Sequence, residues 1–168
     1  MSAVGRRLPR RHDFRLDPGD ARRRRDDRAV NVLFVAGFSP IVADPKAGQA
    51  FYKDRLGLPL TRVSGDYLAV DDFGGLRHLG VWPLADAAQS CFGSPSWPAD
   101  VPIPQATIEF EVAGAEEVAD AAAELVSQGY SLIHEARTEP WGQVITRVRG
   151  PEGLLIGICF CPWMHETA

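Results

Sequence analysis

Residues 32–58 read VLFVAGFSPIVADPKAGQAFYKDRLGL and predict a buried strand that leads directly into a helix. The run 32–42 is apolar and rich in β-branched residues, which is typical of a strand. Asp44 can accept hydrogen bonds from the free N–H groups at a helix start, and Pro45 suits the first helical position. Gly57 ends the helix, because glycine adopts the left-handed conformation at little cost.

The same order of elements, a strand, a helix and three strands, is predicted twice along the chain. The second copy starts with the alternating strand 105–112 and a helix over 114–128. The remaining predicted strands are short and separated by turn residues: 58–64, 66–73, 76–83, 130–135, 142–149 and 153–161. Either half alone is too small to bury its sheet and helix well. We therefore predict an α+β fold in which paired βαβββ modules form an incomplete, barrel-like cleft.

The predicted domain spans 30–168, with modules at 30–83 and 105–162 and a proline-rich linker at 84–104. The preceding segment, 1–29, holds ten arginines and five aspartates, a net charge of +5, and has no apolar period. Such a segment cannot bury enough surface to fold. We expect a disordered, solvated tail, or an upstream extension translated from an early start codon.

Charge, apolar runs and cysteine content indicate which partners and which cellular location to expect. Residues 30–168 hold 8 Lys/Arg and 17 Asp/Glu, a net charge of −9, which argues against a nucleic-acid footprint. No apolar run reaches the roughly 18 residues that span a membrane, and no secretory signal is expected. The three cysteines, Cys91, Cys159 and Cys161, are too few for a disulfide framework and favour a reducing, cytoplasmic location.

Short motifs occur in both halves in a characteristic order. They are Asp44-Pro45, Phe51-Tyr52 and Leu56-Gly57-Leu58 in the first half, and Phe110-Glu111-Val112, Gly129, Glu139-Pro140-Trp141-Gly142 and Pro151-Glu152-Gly153 in the second. Together they resemble the glyoxalase/bleomycin-resistance/dioxygenase group, the vicinal-oxygen-chelate superfamily, over about residues 32–161. The resemblance implies two modules around a shared cleft, and it places Trp141 beside the cleft mouth.

The resemblance also implies four metal-ligand positions, which in this sequence carry almost no donor groups. They fall on Gly37, Gly80, Thr107 and Gly157. A divalent cation needs imidazole, thiolate or carboxylate donors, and three glycines and a threonine supply none of these. A shift by one position gives Phe38, Leu79, Ile108 and Ile158, which are not ligands either. We therefore predict no metal site and no cofactor.

Strand alternation predicts which other side chains face the cleft. His78 and Glu109 form a candidate acid–base pair, the alternative being two separately solvated residues at the rim. Trp82 could stack on an aromatic ligand or pack in the core. The full set of predicted ligand-binding residues is Gly37, Ser39, Gly80, Trp82, Thr107, Trp141, Gly157 and Cys159.

The two cysteines of the last strand, Cys159 and Cys161, share one strand face, and His165 follows them. A site for a soft metal would need a third or fourth convergent donor. Without one, packing thiols are the expected interpretation.

Two classes of function stay open from the sequence. The first is metal-independent binding of a small aromatic or cationic molecule, including drug sequestration. The acidic body would attract a cation, although acidity can also serve solubility alone. The second is a glyoxalase- or dioxygenase-like enzyme, a lyase, isomerase or oxygenase, that uses the same cleft. A partner-binding module with a degenerate cleft is a third option. We expect a homodimer, with the cleft formed within one chain or between exchanged halves.

Overall fold

The structure, a computed structural model, describes residues 30–165. The predicted tail, 1–29, lies outside this range. The elements follow in this order: β1 Phe34–Val42, α1 Pro45–Gly48, a π-helix Gln49–Arg55, β2 Thr61–Ser64, β3 Tyr67–Phe73, β4 Leu76–Pro83, α2 Leu84–Phe92, β5 Ala106–Glu111, α3 Ala115–Ser127, β6 Leu132–Thr138, β7 Val144–Arg149, β8 Leu155–Phe160 and a 3₁₀ turn Pro162–Met164. Each predicted strand is present within a few residues of its expected bounds.

The eight strands form one sheet in the order β2-β3-β4-β1-β5-β8-β7-β6. Within each module the first strand pairs in parallel with the last, β1 with β4 and β5 with β8. The modules join where β1 and β5 run antiparallel. Because β2 and β6 stay at opposite ends, the sheet does not close into a barrel. The predicted α+β architecture of paired βαβββ modules around an incomplete barrel is confirmed.

The first helix begins as the sequence predicts and then widens. Asp44 Oδ1 accepts hydrogen bonds from the backbone N–H groups of Lys46, at 2.9 Å, and Ala47, at 3.1 Å. After one α-helical turn the chain continues as the π-helix Gln49–Arg55. Gly57 follows with a φ of 68°, the left-handed conformation that ends the element.

Two apolar clusters lie on the face of the sheet that packs against the first helix and α3. In the second module α3 packs Val118 and Ala121 against Val112 and Ile158. In the first module a smaller cluster contains three buried residues, Leu60, Leu68 and Val81, with Val42, Tyr52, Leu58 and Val70 around it. The opposite face carries polar side chains together with a smaller apolar cluster of Ala36, Ile145, Cys159 and Cys161. No helix within residues 30–165 is long and apolar enough to span a membrane.

The stretch expected to be a linker, 84–104, contains a nine-residue helix, α2. Its buried side chains are Ala87, Ala88, Ser90 and Cys91. The spacing of Leu84, Ala87, Ala88 and Cys91 is helical. The sequence predicted a linker instead, because the four prolines further along dominate the composition of the segment. Helix α2 contacts β4 and β1 in the first module and β6 in the second, so it bridges the two modules.

Candidate ligand-binding cleft

The strand register lines up a row of residues on the face of the sheet opposite α3, called the cleft face below. Gly37 pairs with Glu109, Glu109 with Gly157, and Gly157 with Arg147. On the other side of Gly37 lies His78, whose Cβ would be 3.5 Å from a Cβ added to the glycine. Directly paired residues point to the same side of a sheet, so these side chains share the cleft face.

A second row lies next to the first and completes the four positions that the resemblance implied. Ser39 pairs with Thr107, and Gly80 lies beside Ser39 on β4. Gly37, Gly80, Thr107 and Gly157 therefore occupy two adjacent rows of one face. Together they offer a single hydroxyl group, so these positions do not fit a divalent metal ion.

The glycines of these rows give room to neighbouring side chains of the same chain. A Cβ at Gly80 would lie 2.5 Å from Ser39 Oγ and 2.6 Å from Tyr67 Oη. A Cβ at Gly157 would lie 2.9 Å from Ile145 Cδ1 and 3.0 Å from Glu109 Cγ. The space beside Gly80 holds Ser39 and Tyr67, and the space beside Gly157 holds Ile145 and Glu109.

A buried arginine crosses the centre of the cleft face. Arg147 is 1% exposed, and its Nη2 donates to Glu109 Oε1 at 3.2 Å. Its Cζ lies 5.1 Å from the centre of the Trp82 ring, a cation–π contact. Gln143 Nε2 donates to the other oxygen of Glu109, at 3.0 Å. The half-buried carboxylate and the buried guanidinium thus hold each other in place.

Several buried polar atoms on the cleft face have no hydrogen-bond partner within residues 30–165. They are Arg147 Nε, Arg147 Nη1, Thr107 Oγ1 and His134 Nε2. Leaving a buried donor unpaired costs about 1–3 kcal/mol, and more for a charged group. A guanidinium with two unused N–H directions is therefore an unusual feature, and it points to an acceptor that the protein itself does not supply.

A second polar chain runs from the cleft toward the surface. The Tyr67 hydroxyl contacts His78 Nε2, and His78 Nδ1 contacts Asp71 Oδ1 at 2.6 Å. Burial, with the charges of Glu109 and Asp71, raises the pKa of Tyr67 well above its ordinary value. The structure brings His78 and Glu109 to one face, but it gives them separate partners, Tyr67 and Asp71 for one and Arg147 and Gln143 for the other.

Helix α2 lies over this polar network. Ser90 Oγ donates to Glu139 Oε1 at 2.8 Å, which ties the helix to the end of β6. Burial raises the pKa of the Cys91 thiol to about 11, and the nearby charges of Arg147 and Arg137 partly oppose the shift. Cys91 therefore stays a neutral thiol beside the buried arginine. The cleft of this chain is covered by its own helix.

Comparison with known proteins agrees with this architecture. The sequence model of the Glyoxalase/Bleomycin resistance protein/Dioxygenase superfamily matches residues 38–158. The chain belongs to this superfamily. No curated protein matches the sequence.

Solved structures of the superfamily share the fold at low sequence identity. Methylmalonyl-CoA epimerase from Mycobacterium tuberculosis is 18% identical with a TM-score of 0.50, over 79% of this chain and 91% of that one. The E323L mutant of homoprotocatechuate 2,3-dioxygenase from Brevibacterium fuscum is 21% identical with a TM-score of 0.53, over 79% and 33%. The 2,2',3-trihydroxybiphenyl 1,2-dioxygenase from Sphingomonas wittichii strain RW1 is 19% identical with a TM-score of 0.50, over 76% of this chain and 42% of that one. At this identity the likeness concerns the fold alone.

Two further predicted site residues lie toward the end of the cleft face near the C-terminal turn. Trp141 is exposed, and its indole N–H donates a hydrogen bond to Gln143 Oε1 at 3.0 Å. This bond orients the glutamine side chain that donates to Glu109. Cys159 is fully buried beside Glu111. The hydrogen bond with Cys161 and burial both raise the pKa of the Cys159 thiol above its ordinary value.

The sequence did not single out Arg147, Tyr67 or Gln143 as members of this superfamily cleft. The available signal was an arginine within the apolar strand 142–149, where a charge must find a partner if the strand is buried on both faces. Which face Arg147 takes depends on its register against β8, and a single strand does not contain that information.

His134 should make stability depend on pH in the weakly acidic range. Burial lowers its pKa below 6.5, and the charges of Arg137 and Arg147 lower it further. The unfolded chain therefore binds the proton more readily, and stability should fall as the pH drops through about 6.5. His134→Gln should flatten this dependence, measured as urea midpoints on both sides of that pH. An equally steep decline in the variant would assign the effect to another group.

Proposed function

We propose that this superfamily member binds a small aromatic molecule in the covered cleft without a metal ion. In this proposal an oxygen acceptor of the ligand accepts hydrogen bonds from Arg147 and Thr107. The observation that supports it is the set of unpartnered donors, Arg147 Nε and Nη1 and Thr107 Oγ1, on side chains no more than 3% exposed. The metal-ligand positions of the fold lack metal-binding side chains, so the fixed guanidinium is the positive group that would meet a ligand oxygen.

The chemistry of the cleft favours a neutral or anionic ligand over a cationic one. The one carboxylate in the row of Gly37 and Gly157, that of Glu109, is already paired with Arg147. A cationic ligand would place its charge beside a buried guanidinium, and like charges in such a site repel strongly. Trp82 offers a ring for stacking, although one part of it already faces Arg147. Sequestration of a drug with an acceptor group is one use of such a site.

Entry of a ligand requires α2 to move. The helix covers the network through Ser90 and Cys91, and the hydrogen bond to Glu139 holds it there. Its displacement exchanges helix contacts for ligand contacts, so the cover and the ligand compete for the same surface. The homodimer and the cytoplasmic location remain predictions from the sequence.

Thr107→Val separates a ligand-binding role from a structural one. Valine keeps the shape of threonine and removes a buried hydroxyl without a protein partner. The variant should be as stable as the parent or gain about 1 kcal/mol. Its affinity for acceptor-bearing aromatic probes, such as benzoate or salicylate, should fall by about tenfold, the equivalent of one hydrogen bond of 1.4 kcal/mol. Quenching of tryptophan fluorescence measures the affinity.

Ser96→Ala, a change at an exposed residue after α2, serves as the matched control and should leave the quenching unchanged. Benzylamine tests the charge argument, since it should bind more weakly than benzoate. Two results would contradict the proposal: a Thr107→Val variant that binds benzoate as the parent does, or a clear preference for the amine.

One observation supports an enzyme as the second candidate. The contacts Tyr67–His78–Asp71 connect a buried phenol to an exposed carboxylate, which is a path for a proton. A metal-free isomerase or lyase could use the phenol as its acid or base. Exchange of a carbon-bound proton of a bound 2-oxo acid with deuterium, followed by NMR, should then vanish in Tyr67→Phe. A residual exchange equal to the parent's would remove this candidate.

A further inference from the structure

Three donor side chains converge at the end of the cleft face nearest the C-terminal turn. Glu111 ends β5 and pairs with Cys159 on β8, and Cys161 follows two residues later. One ligand atom from each residue lies within 4.8 Å of the other two. The three residues are 0%, 0% and 1% exposed. Among residues 30–165 this is the one group of three such donors that converges in this way.

Glu111 is a fully buried carboxylate with little compensating charge. Within the described part of the chain the basic side chain that contacts it is His165, whose Nε2 lies 2.8 Å from Oε1. The backbone N–H of Cys161 donates to Oε1 at 2.5 Å, and the Cys159 thiol donates to Oε2 at 3.3 Å. No lysine or arginine among residues 30–165 pairs with it. A buried anion is expensive unless it is paired with a cation or bound to a metal.

We infer that Cys159, Cys161 and Glu111 bind a zinc ion. His165, which lies outside this group of three and contacts Glu111 Oε1, turns toward the metal to become the fourth donor. Two thiolates, a carboxylate and an imidazole are donors that Zn²⁺ accepts in tetrahedral sites. Zinc–sulfur bonds of about 2.3 Å put two sulfur ligands about 3.8 Å apart, and the donor atoms of this cluster already lie within 4.8 Å of one another. The two thiol protons leave to solvent as the metal binds.

This site is separate from the four positions that the superfamily resemblance implied. It lies beyond the row of Glu109, Gly157 and Arg147, and it shares no residue with Gly37, Gly80 or Thr107. The sequence predicted packing thiols and no metal, because Glu111 belongs to a different module from the cysteines. The pairing of β5 with β8 supplies the third donor. His165, whose side chain is 28% exposed, is the point of entry from solvent.

Titration with cobalt tests the site directly, because cobalt bound by thiolates in a tetrahedral site absorbs characteristically. The full chain, reduced and stripped with chelator, should gain a thiolate-to-cobalt charge-transfer band that saturates at one equivalent. Zinc should displace the cobalt and abolish the band. Zinc alone should raise the melting temperature, since it binds the folded state. A protein that shows no charge-transfer band at any cobalt ratio would overturn the inference.

The third cysteine provides a matched control. Cys91→Ser should keep the band, because Cys91 is a residue of α2 and is not one of the three converging donors. Cys159→Ser and Cys161→Ser should each lose it, and circular dichroism shows whether they remain folded. If they unfold, the parent protein gives the answer: zinc should protect two of its three thiols from alkylation, identified by mass spectrometry as Cys159 and Cys161. Protection of Cys91 instead, or of none, would contradict the inference.

Discussion

Replacing Glu109 with leucine should lower the free energy of unfolding by about 3–5 kcal/mol, the usual cost of leaving one member of a buried ion pair alone. Arg147 is 1% exposed and has no other carboxylate partner among residues 30–165. Its contact with the Trp82 ring offsets only a small part of the charge. Urea denaturation with linear extrapolation measures the change.

The double variant Glu109→Leu/Arg147→Met supplies the control for this experiment. Both charges are then absent and the volumes are nearly kept, so most of the lost stability should return. Glu109→Gln should fall between the parent and the leucine variant, because the amide still accepts a hydrogen bond from Arg147. A double variant as unstable as the single one would show that packing, not the unpaired charge, carries the effect.

Ala88→Leu should loosen α2 and expose Cys91 to thiol reagents. Ala88 is fully buried, and added methyl groups in a packed site cost about 1–3 kcal/mol. If the reagent reaches Cys91 only when α2 opens, labelling should accelerate between about fivefold and 150-fold, at a factor of ten per 1.4 kcal/mol. The rate of iodoacetamide labelling, assigned to Cys91 by peptide mass spectrometry, gives the measurement.

Ala85→Leu is the matched control, since Ala85 is an exposed residue of the same helix. The same side chain is added there without a packing cost, and labelling of Cys91 should keep the parent's rate. Equal acceleration in both variants would mean that the substitution acts through helix propensity. No acceleration in either would place the opening step elsewhere.

The sequence was sufficient for the fold because each local signal agreed with the others. Asp44 and Gly57 bound the first helix as predicted, and the alternation in 105–112 correctly indicated β5. The motif order then identified the superfamily. The helix α2 was missed because its four inner positions are small residues, alanine, serine and cysteine, within a segment rich in proline. Small side chains give a weak hydrophobic pattern.

The candidate site was less accessible from the sequence than the fold. Counting from motifs located Gly37, Gly80, Thr107 and Gly157, but their neighbours decide what the cleft contains. Arg147 reaches Glu109 from two strands away, across Gly157. That contact depends on the register of three strands at once. The absence of donors could therefore be predicted, whereas the group that crosses the cleft in their place could not.

Helix α2 also fixes the connection between the two modules by packing against both of them. In this chain β5 pairs with β1 of the same molecule, and the connection between them is folded rather than slack. Trp97 also stabilises this connection, because its indole N–H donates a hydrogen bond to the carbonyl oxygen of Val101 at 2.9 Å. A short flexible linker gives an effective concentration on the order of millimolar, and the folded connection here keeps β5 near β1 at least as effectively. To exchange a module with a second chain, the protein must release α2, which is the same movement that uncovers the cleft. A ligand that holds the helix away from the sheet would therefore also make module exchange between chains easier.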